Sequence, residues 1–273
     1  MKSLPFIFLS LFLAFLALTE DAKPELDSIS PRAMQSGTTA EFSLRGKNLT
    51  HLKGVLFTNP KIKAELLPAS KSNAVIARVK ISVDKGLSRG THELWVKNSG
   101  GESNRLKIHI GDLPQTFENS RTQPIKTAAS YWGVLTKAGE IDRIPFRAQS
   151  GMTMVLDLRG KSLDSKANEL VLTLTDSRGR VLARGREGGE PLLAHKIEAD
   201  GDYFAHIVDQ QRAGSANHYY RLTLGELPFV TGFFPPRLPL GKRTSIELIG
   251  HNLPAKTLNV SPSKIGDFTL PLN

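Results

Sequence analysis

A chain with no cysteine must draw any catalytic or metal chemistry from its seven histidines, its twenty-six carboxylates and its hydroxyls. The missing thiols exclude disulfides, thiolate zinc sites, iron–sulfur clusters and a cysteine nucleophile together. The stretch most like a metal motif is "HELWV", residues 92–96, which opens as a zincin helix does. Val96 stands where the second histidine is required. The segment also reads as a strand, in which residues i and i+4 lie about 13 Å apart. His92 and His109 fall in adjacent predicted strands, so a pairing across a sheet is open to them; His195, His206 and His218 belong to three separate segments. No H-x-H or H-x3-H spacing occurs, and these histidines read as solvent-facing strand residues.

The carboxylates Asp142, Asp176, Asp200, Asp202 and Asp209 sit at predicted turns or strand ends. Turn capping is the reading preferred over calcium, and acids scattered in sequence define no glycosidase pair without geometry. "GKS" at 160–162 and "GKRT" at 241–244 are not phosphate loops, because Val155 and Pro236 occupy the place of the first glycine. No G-x-S-x-G and no Ser–Lys signature is present. The expectation is a protein that is not an enzyme, with no catalytic, cofactor-binding or metal residues to name and no cofactor.

The elements that would carry such residues are strands. "SLRGKNLT" (43–50) and "ELIGHNLP" (247–254) are the ends of one repeated phrase: Pro31, Gly37, Gly46, Asn48 and Leu49 recur at Pro235, Gly241, Gly250, Asn252 and Leu253 with every spacing kept. Between the glycines Ala40, Phe42 and Leu44 alternate with polar residues, as do Thr244, Ile246 and Leu248, the period of a strand with one buried face. The glycines are expected to supply positive φ on entering and leaving the strand. The asparagines are expected to hydrogen-bond nearby backbone, and the leucines to return to the core. The phrase reads as structural, not as a ligand site. Asn48-Leu49-Thr50 and Asn259-Val260-Ser261 match the glycosylation acceptor pattern, a match read as accidental.

After the first copy, 53–58, 74–82, 91–98 and 105–111 alternate or run apolar between turn residues, and no helical period follows the N-terminus. Short strands at this spacing indicate a small antiparallel sandwich. The opening Pro, Gly and G-x-N-L, with a closing V-x-N-x-x-G-x-S at Val96, Asn98, Gly101 and Ser103, resemble the IPT/TIG class of immunoglobulin-like domain over about 25–112.

The segment 114–226 begins with a polar, Pro-containing linker and continues with alternating runs at Met152–Arg159, Leu170–Leu174 and Tyr220–Leu224. Gly133, Asp142, Phe146, Gly151, Asp176, Gly179, Gly201, Tyr203, Asp209, Tyr220, Arg221 and Leu222 are placed as in the bacterial pre-peptidase C-terminal (PPC) domain, which this segment resembles. The resemblance implies a jelly-roll-like sandwich. Its calcium site, found in some relatives, is in doubt here because "RGREGGEP" replaces an acidic run. The succession of modules is similar to exported multidomain proteins of planctomycete-type bacteria.

The fold class expected is therefore all-β: tandem antiparallel sandwiches, Ig-like and then jelly-roll-like, with a partial second Ig-like unit. Residues 1–22, one lysine and then an apolar run of about fifteen residues, read as a signal peptide rather than a bilayer helix, which needs about twenty. The expected division is 1–22 signal, 23–113 IPT/TIG-like, 114–226 PPC-like and 227–273 an incomplete second TIG-like unit, which makes the chain a fragment or leaves its tail to be completed by a partner. Of the net charge of +10, residues 23–113 carry +7 and residues 227–273 carry +3. This excess suits an anionic envelope polysaccharide, and another envelope protein is the other partner considered. Aromatics at 7% are too few for single-strand stacking, so no nucleic acid is expected; the membrane is met only through the signal segment. The function expected is a non-catalytic, exported binding or structural module of the periplasm, cell surface or extracellular space. The alternative is the accessory N-terminal portion of a larger secreted hydrolase or peptidase.

Overall fold

The computed structural model describes residues 21–68, 71–118, 124–185 and 190–266. It is all-β, built mostly of antiparallel strand pairs, and no α-helix occurs among the described residues. No helix there is long and apolar enough to cross a membrane. Residues 1–20 of the expected leader lie outside the described residues. Asp21 and Ala22 do not: the Asp21 carboxylate accepts from Ser99 Oγ at 2.6 Å and the Ala22 carbonyl from Asn98 Nδ2 at 2.9 Å. The chain divides into two compact units. Gly37–Leu87 and Thr91–His109, with the residues up to Arg32, form the first; Ala33–Ser36, Ser88–Gly90 and everything from Ile110 onward form the second.

The first nine strands are β1 (Glu25–Ser30), β2 (Ala33–Gln35), β3 (Thr39–Lys47), β4 (Gly54–Phe57), β5 (Ile62–Leu66), β6 (Ile76–Val83), β7 (Gly90–Asn98), β8 (Gly101–Glu102) and β9 (Leu106–Gly111). One sheet has the order β1-β3-β6-β5; the other runs β2-β9-β7-β4, with β8 beside β7. Alternation fixes which side chains meet. Phe42 and Leu44 of β3, Val79 and Ile81 of β6, and Leu94 and Val96 of β7 are all fully buried, while Glu41, Lys80 and Glu65 stand as cross-strand neighbours on the outside. The closing motif clamps the first strand. Ser103 Oγ accepts from the Val96 amide at 3.0 Å, and Asn104 brackets Leu26, accepting from its amide at 2.7 Å and donating to its carbonyl at 2.8 Å.

The next nine strands are β10 (Gln115–Phe117), β11 (Ala129–Val134), β12 (Ile141–Ala148), β13 (Thr153–Arg159), β14 (Leu170–Asp176), β15 (Val181–Arg184), β16 (Leu192–Lys196), β17 (Gly201–Asp209) and β18 (Tyr219–Gly225). They form two sheets, β10-β11-β18-β13-β16 and β12-β17-β14-β15, over one core that includes Tyr131, Phe146, Met154, Leu156, Leu172, Ile207, Tyr220 and Leu222. The presumed linker is part of this structure: β10 pairs parallel with β11, Gln115 Oε1 accepts from Trp132 Nε1 at 2.8 Å, and Ile125 joins the core. A short polar strand carries too little apolar alternation to be told from a loop.

The last strands, β19 (Phe229–Phe234), β20 (Thr244–His251) and β21 (Thr257–Val260), make a three-stranded sheet. Here the repeat reappears in atomic detail. β1 bulges against β3 between Leu26 and Ser28, and β19 bulges against β20 between Val230 and Gly232, the equivalent place. Gly37 and Gly241 do take positive φ, 76° and 71°. Gly46 and Gly250 do not, contrary to expectation: a Cβ on them would lie 1.9 Å from the Glu25 carbonyl oxygen and 2.0 Å from that of Phe229. They are glycines because the bulged strand passes over them. Positive φ falls instead on Asn48 (55°) and Asn252 (52°), an αL conformation asparagine tolerates. Their amides reach not to local backbone but to the strand start 25 residues earlier: Asn48 Nδ2 donates to the Lys23 carbonyl at 2.9 Å and Asn252 Nδ2 to that of Leu227 at 3.1 Å.

Candidate binding surfaces

The histidines do not assemble. β7 and β9 are neighbours in the sheet, yet His92 shares the face of the buried Leu94 and Val96, whereas His109 alternates with the buried Ile108 and Ile110 and stands 3.0 Å from Thr91 Oγ1. The two therefore point to opposite sides of the sheet, because their strand positions differ in parity. Nor are all the histidines solvent-facing. His109 and His218 are buried, and His206 and His218 have hydroxyl neighbours, Thr175 Oγ1 at 3.0 Å and Ser215 Oγ at 2.8 Å. Burial pushes the imidazoles of His92 and His206 below their ordinary value, with the Arg143 charge adding to the effect at His206.

Each of the five singled-out aspartates holds a place in the scaffold. Asp176 accepts from the amides of Arg178 and Arg180 at 3.0 and 2.9 Å, and Asp209 from those of Gln211 and Ala213 at 2.9 and 3.2 Å. Asp200 accepts from the Ser150 amide at 2.7 Å, and Asp202 pairs with Arg147 at 2.8 Å. Asp142 is buried and takes the hydroxyl hydrogen bond of Tyr220. Among the described residues no group of three or more histidines and carboxylates is arranged to hold a metal ion.

The most elaborate ionic arrangement was not legible in sequence. Trp132, Arg221 and Arg159 are cross-strand partners in a row over β11, β18 and β13. Arg159 lies between Asp157 at 2.8 Å and Glu190 at 2.7 Å. The first contact is ionic without hydrogen-bond alignment. Glu190 also accepts from the amides of Gly160 and Ser162 at 3.1 and 2.7 Å. Burial alone raises the Glu190 carboxyl, but the Ser162 and Arg159 hydrogen bonds outweigh it and hold the group below its usual range. Burial, helped by the Arg159 and Arg89 charges, lowers Arg221, whose Nε has no hydrogen-bond partner. Glu190 is 31 residues from Arg159 in sequence, so no local spacing announces the pair. Two cations against two carboxylates make a balanced structural network, not an acid–base pair poised for chemistry.

Two surfaces of these sandwiches gather charged side chains. On the outer face of the β7–β9 sheet the Arg105 guanidinium stacks 4.2 Å over the Trp95 ring and is held at 3.0 Å by Glu93. Strand parity puts Lys97 and Lys107 on the same face, both exposed. In the middle sandwich a polar cleft of about 460 Å3 is lined by Asp176, Arg178, Arg180, His195, Asp200 and Tyr203. The first face offers one guanidinium held in a fixed orientation beside two exposed lysines; the cleft mixes both signs.

No family model matches the chain, and no curated protein is similar to it at a significant level. Solved structures with similar parts are a pre-peptidase C-terminal domain of collagenase from Bacillus anthracis (12% identity, 41% of this chain and 95% of that one, TM-score 0.29). A second is SGBP-B of a mixed-linkage glucan utilization locus of Bacteroides ovatus, in complex with a mixed-linkage heptasaccharide (10%, 76% and 75%, TM-score 0.26). A third is the Escherichia coli adhesin FdeC (16%, 90% and 65%, TM-score 0.29).

Proposed function

We propose that this is a non-catalytic binding and structural protein of the cell envelope or extracellular space, exported by its 1–22 leader and built from modules at 23–113, 114–226 and 227–273. Its first module contacts an anionic polysaccharide. The carrying observation is the Arg105 guanidinium, stacked on Trp95 and pinned by Glu93 on an open sheet face beside Lys97 and Lys107. A planar guanidinium held in one orientation loses little freedom when it meets a carboxylate, and it presents N–H groups in the fork that uronate carboxylates fit. Two flanking ammonium groups extend the attraction along a chain of repeating charges. The surplus of +7 in residues 23–113 acts in the same direction over longer range.

The experiment is retention on immobilised polygalacturonate at low salt, with a neutral glucan column as control. Binding to the polyuronate alone, weakened by salt and by R105A combined with K97A and K107A, is the expected result. Equal retention on both columns, or a triple variant that elutes with the parent, removes the proposal.

A further inference from the structure

One face of the last sheet is apolar and exposed. In β19–β21 the residues turned to one side, Phe233, Ile246, Leu248 and Leu258, line an apolar groove of about 640 Å3 together with Leu238 and Leu240. Phe233 is 51% exposed, Leu240 54% and Ile265, also in the groove wall, 90%. Exposed apolar area gathered in one concave place marks an interaction site.

The internal repeat says what covers such a face. Ile29 is the counterpart of Phe233 and is 3% exposed; Phe42 and Leu44, counterparts of Ile246 and Leu248, are fully buried. In that first copy the cover is the sheet β2-β9-β7-β4, in which β9 lies beside β2 and turns Ile108 and Ile110 inward. The counterpart of β2 exists in the tail: residues 237–239 correspond to Ala33–Gln35, and Leu238, the counterpart of the buried Met34, packs on the core of its sheet. Among the described residues, however, 237–239 pair with no strand. A further departure is that β21 lies along β20 where β6 lies along β3 in the first copy, although by sequence spacing β21 corresponds to β4. The unpaired edge, the apolar groove and the displaced strand describe an acceptor for strand addition.

We infer that the groove of β19–β21 receives an extended segment of a partner polypeptide, which lies beside residues 237–239 as β9 lies beside β2. Its inward residues alternate Ile, Val or Leu, and its outward or flanking residues are acidic. The acidity follows from the rim. Arg237 and Lys264 line the groove, and residues 227–273 carry five basic side chains against two acidic ones. The same excess opposes a second copy of this chain, whose own rim is equally basic.

The test uses the full chain and a labelled peptide of residues 103–112 bearing Arg105→Glu, Lys107→Glu and His109→Glu, followed by fluorescence anisotropy. Saturable binding is expected, weakened about tenfold or more by Ile108→Ser with Ile110→Ser in the peptide or by Phe233→Ser in the protein. Phe233 is half exposed, so this substitution leaves the sheet intact. The unaltered basic peptide is expected to bind less tightly than the acidic one. No binding, or equal binding by the serine peptide, overturns the inference. Binding that appears only after residues 267–273 are deleted makes the chain's own tail the occupant and overturns it too. Self-association lost in F233S shows a second copy there, with the same consequence.

Discussion

The Tyr220 hydroxyl donates a hydrogen bond to Asp142 Oδ2 inside the middle sandwich, joining β18 of one sheet to β12 of the other. Gly133, opposite Tyr220 on β11, makes the bond possible: a Cβ there would lie 2.3 Å from the phenolic oxygen. Three residues far apart in sequence thus form one packing unit. Tyr220→Phe leaves the buried Asp142 without this donor and is expected to lower stability by about 1–3 kcal/mol. Gly133→Ala is expected to be at least as damaging, since the ring must move. Denaturant titration of both variants checks the ranking; an unchanged midpoint for Tyr220→Phe removes the bond from the account.

The same phenol gives the fold an alkaline limit. Burial, reinforced by the Asp142 charge, raises the Tyr220 pKa well above its ordinary value near 10. The unfolded chain therefore loses this proton first as pH rises, and the folded state binds more protons above about pH 10. Stability contributed by Tyr220 is complete below that pH and falls above it. Thermal midpoints measured from neutral to strongly alkaline pH are expected to drop more steeply in the parent than in Tyr220→Phe.

The two pairs of repeat glycines separate steric from conformational demand. A Cβ on Gly241 meets nothing within 4 Å, so Gly241→Ala bears only the positive-φ penalty, about 1–2 kcal/mol. Gly250→Ala must push the bulged β19 away from β20 and is expected to exceed it, at upward of about 2 kcal/mol. Amide exchange of the β19 and β20 ladder reads the difference directly. Equal protection in the two variants contradicts the close-approach reading.

Asn48 combines both demands, with φ of 55° and a side-chain bond to the Lys23 carbonyl. Glycine restores the backbone freedom but not the bond; alanine restores neither. The expected order of stability is parent, then Asn48→Gly, then Asn48→Ala, with steps of about 1 kcal/mol each. Denaturation midpoints of the three proteins check it.

These comparisons show what sequence could and could not carry. The repeat was legible because a bulged strand pair needs small residues at fixed spacing, and spacing survives in sequence. The reason for Gly46 was not, since a glycine under a crossing strand and a glycine with positive φ look alike. Alternation located β3, β6, β7 and β13, but it records only which residues share a face. It placed His92 and His109 in neighbouring strands without showing that their parities diverge. On β13, Val155 and Asp157 are buried as well as Met154 and Leu156, because both faces of that strand are covered. Period-two reasoning assigns one face to water and so misses Asp157, and with it the ion network.

That network supplies the acid-side prediction. Glu190 is held below the ordinary carboxyl range by its bonds to Ser162, Arg159 and Gly160, which prevail over burial. Its folded pKa is depressed, so the unfolded chain takes up the proton first as pH falls. The contribution is therefore complete above the unfolded value of about 4.3 and is lost as pH drops through the folded one. Glu190→Gln keeps the shape but cannot be charged. It is expected to be less stable than the parent at neutral pH, because Arg159 is left with Asp157 alone beside the lowered Arg221. The gap should close as acid neutralises Glu190 in the parent. Denaturant midpoints of the two proteins from neutral pH down to about pH 3 test this: converging curves support the network, and parallel curves mean that Glu190 gives the fold nothing through its charge.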